Sequence, residues 1–157
     1  MGPPPFQRLL DEHREAVWRF LVASAGRDEA DDCFQETFVA ALRAYPRLPA
    51  GADHRAWLLT IAHRKAIDAH RARSRRPRPV AAETLDGRSA PAPAGNPDGD
   101  LWDAVRALPH KQRAAVVLRY VGDLQHAETA QVLGGSEDAA RRNLHEALTN
   151  LRKEFTR

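Results

Sequence analysis

Arg141 and Arg142 follow closely on a Gly134-Gly135-Ser136 turn, with Glu137, Asp138 and His145 spaced to share their side of a helix. A guanidinium so placed can fork onto guanine O6 and N7, and one good bidentate contact discriminates between bases by about 1–3 kcal/mol. Glutamate can accept from cytosine N4. The residues ahead of the turn supply what such a reader needs. Ala127, Ala130, Val132 and Leu133 are small or apolar where two helices must cross closely. Gly134 suits the left-handed conformation that closes a helix, and the Ser136 hydroxyl can cap the next one. Glu137 and Asp138 then fall in the first turn, where the helix dipole favours acids. Leu144, Leu148 and Leu151 point back into a core. A short helix, a glycine turn and a longer helix are the parts of a helix-turn-helix, whose second helix enters the major groove. Arginines also solvate ordinary exposed helices. The cap, the turn and the small-residue helix together favour DNA contact.

A second constellation is basic. Seven Arg or Lys side chains lie between Arg64 and Arg78, among them Lys65, Arg71, Arg73, Arg75 and Arg76, against the single acid Asp68. Such density suits a phosphate backbone, and binding through it should fall with salt. A third is acidic: Asp31, Asp32, Gln35 and Glu36 make a polar face beside an apolar stripe that includes Phe38. Taken alone that face fits solvation, metal binding or docking equally in kind, and solvation is the simplest. Catalysis has little to stand on. His63 and His70 share roughly one helix face near Asp68, with His54 at the start of the same helix. Seven residues of helix span about 10 Å, too far for two ligands of one zinc. There is no glycine-rich phosphate loop and no nucleophile beside a base. No enzyme, metal or cofactor is expected.

The elements that must carry these groups are helices. Val-, Ile- and Thr-rich runs of period two do not occur, while Ala, Leu, Arg and Glu dominate. A first helix is expected from near Pro5 to Ala25, with Phe6, Leu9, Leu10, Val17, Phe20 and Leu21 inward. Gly26 ends it and Asp28 can cap the next. A second helix to Ala44 puts Phe34, Phe38 and Leu42 on one stripe, and Tyr45-Pro46 stops it. Asp53 can cap a third helix reaching about Arg75, with Trp57, Leu58, Ile61 and Ile67 buried. Residues 77–99 are rich in proline and glycine without apolar periodicity, which reads as a flexible linker. Beyond it Leu101, Val105 and Leu108 mark a helix stopped by Pro109. Another, His110 to Tyr120, turns Val116, Val117 and Tyr120 inward, and Gly122 breaks it before the helix-turn-helix. The expected fold is all-α: two small helical domains, residues 1–76 and 100–157, joined by the linker.

Bulk properties agree. The 157 residues carry a formal net charge of +3, which fits nucleic acid without demanding it. Cys33 is the only cysteine, so neither an intrachain disulfide nor a cysteine metal cluster is expected. No stretch approaches the roughly 18 apolar residues that span a bilayer. Met1-Gly-Pro-Pro-Pro5 lacks the marks of a secretory signal. A cytoplasmic protein without a membrane partner is expected.

Here a family resemblance enters. Leu108-Pro-His-Lys-Gln-Arg-Ala-Ala-Val-Val-Leu-Arg-Tyr120, followed by Leu124 to Leu151, resembles region 4 of sigma-70-type factors, especially the extracytoplasmic-function (ECF) group. Glu29-Ala-Asp-Asp-Cys-Phe-Gln-Glu-Thr-Phe38 resembles region 2.2, with its D-x-x-Q-E-x-F core. His54 to Arg71 is similar to the F-R-x-W-L-x-x-I-A-x-N-x-A-x-D-x-x-R helix that captures −10 DNA. The resemblance implies a factor that binds core RNA polymerase, at the β′ clamp coiled coil and the β flap, and directs transcription initiation from promoter DNA. It implies polymerase contacts at Asp31, Asp32, Gln35, Glu36 and Phe38. It implies −10 contacts at His54, Arg55, Trp57, His63, Arg64, Lys65, Arg71, Arg73, Arg75 and Arg76. It implies −35 contacts at Ser136, Glu137, Asp138, Arg141, Arg142 and His145. An anti-sigma factor is the expected controller. The chain departs from the pattern at His54 (an aromatic in the family), Arg64 (asparagine), Gln125 (serine) and Asp138 to Asn143. Those departures suit a second reading, a sigma-derived regulator that opens promoters poorly.

Overall fold

The computed structural model describes residues 5–75 and 97–156, and among them the regular structure is helical. The order is α1 (Phe6–Ala25), α2 (Arg27–Ala44), a 3-10 turn (Tyr45–Arg47), α3 (His54–Arg75), α4 (Pro97–Ala107), α5 (His110–Tyr120), α6 (His126–Leu133) and α7 (Glu137–Phe155).

The first three helices pack on one another in all three pairs. The α1 stripe does what its spacing promised, with Leu9, Val17, Phe20 and Leu21 excluded from solvent. Gly26 sits at φ +86°, a conformation costly for any side chain bearing Cβ. It both ends α1 and caps α2, so Asp28 is not the cap but part of the first turn. Edge-on and tilted rings lock the helices: Trp18 to Phe34 at 5.8 Å, Phe34 to Phe38 at 4.9 Å, Phe6 to Tyr45 at 5.5 Å. Asp53 Oδ1 accepts the Ala56 N–H at 3.1 Å and opens α3 as expected.

Two expected inward positions turn out exposed. Leu42 is 55% exposed and Tyr120 62% exposed. Phe34, Phe38 and Leu42 step by four, and each step advances about 40° past a full turn, so the end of that stripe rotates out of the core; Tyr120 is the last residue of its helix. On α3 the buried side is Leu58, Leu59, Ala62, His63 and Ala66, with Trp57, Ile61 and Ile67 only half-buried at its margins. α4 also begins at Pro97, so the last residues of the expected linker are helical; residues 76–96 lie outside the described residues.

The last four helices form the second unit, with α5 and α6 against α7. Val105, Val117, Leu118, Leu124, Leu144, Ala147 and Leu151 fill its core. Gly134 takes φ +75° at the end of α6, and Ser136 Oγ accepts the Ala139 N–H at 3.0 Å at the start of α7. The two units pack together, α1 against α4 and α5, and α3 against α6. Gly122 lies close against the first unit. A Cβ there would lie 2.9 Å from the Leu118 carbonyl oxygen and 3.0 Å from Leu59 Cδ1 of the other unit.

Candidate nucleic-acid interface

The outer face of α7 presents Glu137, Asp138, Arg141, Arg142 and His145 to solvent, as their spacing required, with Ser136 exposed at its cap. The two arginines are not equivalent. Arg141 Nη2 donates to Glu137 Oε1 at 2.7 Å, and its Nη1 lies 3.8 Å from Asp138 Oδ1. Among the described residues Arg142 has no such partner. Exposed pairs of this kind are worth about 0–1 kcal/mol, so Arg141 is restrained and not immobilised. Gln125 stands before α6 in place of a serine, yet its N–H is still satisfied by Glu128 Oε1 at 3.0 Å. Arg119, Asp123, Gln125, His126, Glu128, Glu137 and Arg141 line a polar cleft of about 450 Å³ beside the turn.

The basic stretch of α3 divides in two. Arg64, Arg71, Arg73 and Arg75 are exposed, and Lys65 is half-buried while its carbonyl accepts from Cys33 Sγ at 3.7 Å. Arg73 lies 3.8 Å from Glu29 on α2, and Arg75 Nε donates to the Arg71 carbonyl. Arg76 falls outside the described residues. The earlier part of α3 meets the second unit. Arg55 Nη1 is 3.7 Å from Asp123 Oδ2, and the ring of His63 stacks on that of His110 with centroids 5.3 Å apart and planes 8° from parallel. His63 is buried, which together with His110, Arg113 and Arg64 pushes its pKa down to about 4. Arg55 and His63 therefore lie at the seam, Arg64 and Arg71 lie close enough to act on its stacked rings, and Arg73 and Arg75 make their contacts within the first unit.

On α2, Asp31, Asp32, Gln35 and Glu36 are exposed. Phe38 is not part of their face: it is 7% exposed and packs on Phe34, because it falls on the core side of the helix. The apolar side chains that do join the acids are Val39 and Leu42, 48% and 55% exposed. Sequence reasoning missed Val39 altogether. It also missed a mainly apolar cleft of about 470 Å³ bounded by Ala40, Arg43, Ala44, Arg47, Leu48, Pro49 and Trp57. Trp57, treated as a core residue, shows one side to that cleft. Only a tryptophan soon after the Pro49 loop hinted at it.

Residues 9–76 match the family model for sigma-70 region 2, and residues 98–151 match that for sigma-70 region 4. The chain is 36% identical over 164 residues to the ECF RNA polymerase sigma factor SigD of Mycobacterium tuberculosis, covering 95% of this chain and 76% of that protein. The chain belongs to the ECF sigma factors of the sigma-70 family. It is also 32% identical over 154 residues to the ECF sigma factor BldN of Streptomyces coelicolor; the match takes in 93% of this chain and 58% of BldN. Among solved structures, the sigma factor RpoE in complex with the anti-sigma factor NepR from Bartonella quintana superposes with a TM-score of 0.76 at 23% identity, over 94% of each chain. That likeness shows the fold. CnrH in complex with the cytosolic domain of CnrY gives 0.70 at 26% identity, over 96% of this chain and 87% of CnrH. In this ECF factor α1–α3 build region 2, and α4–α7 build region 4 around the helix-turn-helix.

Proposed function

We infer that this ECF factor binds core RNA polymerase through region 2 and region 4 and directs transcription initiation at promoters with −10 and −35 elements. The observation that carries the reading is the order of two sigma regions in one chain, with an exposed basic surface on α3 and an exposed arginine-bearing helix after a well-formed turn. In this reading residues 1–76 hold polymerase and −10 DNA, residues 100–157 hold −35 DNA, and the stretch between them joins the two. The docking face on the polymerase β′ clamp coiled coil is Asp31, Asp32, Gln35 and Glu36 with Val39 and Leu42 replacing Phe38. The β flap is the expected site for region 4.

The −10 DNA lies along Arg64, Lys65, Arg71, Arg73, Arg75 and Arg76, and reaches His54, Arg55 and His63 once the units separate. The cleft beside Trp57 offers an aromatic edge and two guanidinium groups, chemistry that takes an unstacked base. The −35 duplex meets Ser136, Glu137, Asp138, Arg141, Arg142 and His145. The solved complexes of RpoE and CnrH support an anti-sigma factor as controller of this chain too. Among the described residues no helix is long and apolar enough to cross a membrane.

The test is co-elution with bacterial core RNA polymerase on a sizing column. A one-to-one complex is expected, and it should disappear when Val39 and Leu42 are both replaced by Glu. Those residues are exposed, so helicity and melting temperature should be unchanged. Absence of a complex with the unaltered chain would contradict the reading.

A second reading is a polymerase-bound regulator that opens promoters poorly. It draws on His54 and Arg64 in place of the family residues, and on the seam that covers His63. Permanganate reactivity of −10 thymines in the assembled complex separates the two, since a regulator of that kind leaves them unreactive.

A further inference from the structure

The two sigma regions touch through a seam whose chemistry is uneven. At Gly122 it is apolar, with Leu59 packed close against the glycine. At one side it carries Arg55 with Asp123, and Asp53 with Glu128. At the other, His63 of α3 lies flat on His110 at the start of α5, each from a different region.

That stack has unusual neighbours. The charged groups that act on the two rings are Arg64, His70 and Arg71 from α3 and Lys111 and Arg113 from α5. No carboxylate is among them. On the adjoining helices Asp103 of α4 pairs with Arg106, and Glu146 of α7 accepts from Gln112. Arg113 itself is held in place, donating from Nη1 to the Arg106 carbonyl at 3.1 Å. His63 is buried while His110 keeps an outer side exposed to solvent. Two neutral imidazoles can stack in such a place. A protonated His63 would be a desolvated cation, and the charged groups that act on it are cations.

We propose that the His63–His110 stack is a pH-sensitive latch between regions 2 and 4, closed when both rings are neutral and opened when either takes up a proton. Opening frees Arg55 and His63 for DNA and removes region 4 from the side of region 2. The proposal stands on the packing of the two regions and not on which promoter is read.

The direction follows from the depressed basicity of the buried ring. Burial, then His110, Arg113 and Arg64, lower His63 from 6.5 to about 4 in the closed form. Its contribution to closure is therefore complete above pH 6.5 and is lost progressively as the pH falls from there toward 4. With His63 regaining its ordinary value on opening, acidification from pH 7.5 to 5.5 shifts the equilibrium about tenfold toward the open form. His110 shifts in the same direction, by burial first and then by Arg113. Asp53, on the same seam, is held below its ordinary 3.8, first by Glu128 of the other region and then by the Ala56 N–H, so it stays ionised from pH 7.5 to 5.5 and leaves the transition to the histidines.

The test is small-angle scattering of the full chain between pH 7.5 and 5.5, beside the variant carrying both His63→Phe and His110→Phe. Phenylalanine keeps a flat ring and cannot take a proton, so the comparison removes the histidines and leaves the carboxylates. A compact chain of this length has a radius of gyration of about 15 Å. The unaltered chain should start near that value and expand reversibly by several ångströms on acidification, with its helical circular dichroism unchanged. The double variant should stay compact. If it fails to fold, His110→Phe alone, at a ring that already meets solvent, should move the midpoint of the expansion to lower pH. No expansion of the unaltered chain, or equal expansion of the variants, would overturn the proposal.

Discussion

Arg141 and Arg142 are adjacent in sequence and unlike in circumstance. Arg141 is shared with Glu137 and Asp138, and Arg142 is not. On a −35 duplex chosen by in vitro selection, Arg142→Ala should therefore weaken binding by about 1–3 kcal/mol and relax the preference at one base pair. Arg141→Ala should cost less, because the lost contact is offset by acids no longer needing to be parted from it. Fluorescence anisotropy at fixed salt checks both. Equal losses would mean that the intrahelical pairs do not persist beside DNA. Cys33 gives a second test at this scale. Burial, with Glu36, Glu29 and Asp32 nearby, pushes its thiol up to about 11. The reactive thiolate is thus scarce until the pH approaches that value. At pH 8 iodoacetamide should leave Cys33 unmodified in the folded chain and alkylate it in denaturant, read by mass spectrometry. Rapid native alkylation would show that region 2 opens readily.

At the scale of elements, what the sequence made legible was local. Gly134 and Ser136 announced the turn and the cap, and both sit where their chemistry requires. Asp53 did the same for α3. The stripe of α1 was legible because its spacings of three and four alternate and cancel their drift. The stripe ending in Leu42 used only fours, which accumulate rotation, and its end is exposed; Tyr120 is exposed as the last residue of its helix. Nothing in periodicity could show that Trp57 shares a cleft with Arg43 and Arg47, or that His63 meets His110. Those are contacts between residues distant along the chain, decided by how whole helices pack. Gly122 likewise read as a helix breaker, whereas its larger role is the close approach of Leu59. Gly122→Ala should therefore destabilise the chain by about 1–3 kcal/mol, since the Leu118 carbonyl is backbone and cannot swing aside. Urea denaturation at pH 7.5 measures it. An unchanged midpoint would show that the seam yields without cost.

The whole molecule joins a polymerase-docking face, a −10 surface and a −35 reader, and each should respond separately. Replacing Arg71, Arg73, Arg75 and Arg76 by Ala should weaken promoter complexes and flatten their salt dependence while leaving the polymerase complex intact. Each lost phosphate contact lowers the slope of log K against log salt by about 0.9 for duplex, or about 0.7 for a single strand. Promoter occupancy unchanged across a salt series would remove the basic stretch of α3 from the −10 contact. The most direct test of the whole is transcription in vitro from genomic DNA with core polymerase alone and with the chain added, mapping the 5′ ends of the transcripts. The expected result is a small set of new start sites, each preceded by common −10 and −35 sequences and each lost with Arg142→Ala or with the Val39 and Leu42 changes. A stable polymerase complex that yields no new start sites would contradict initiation and favour the regulator.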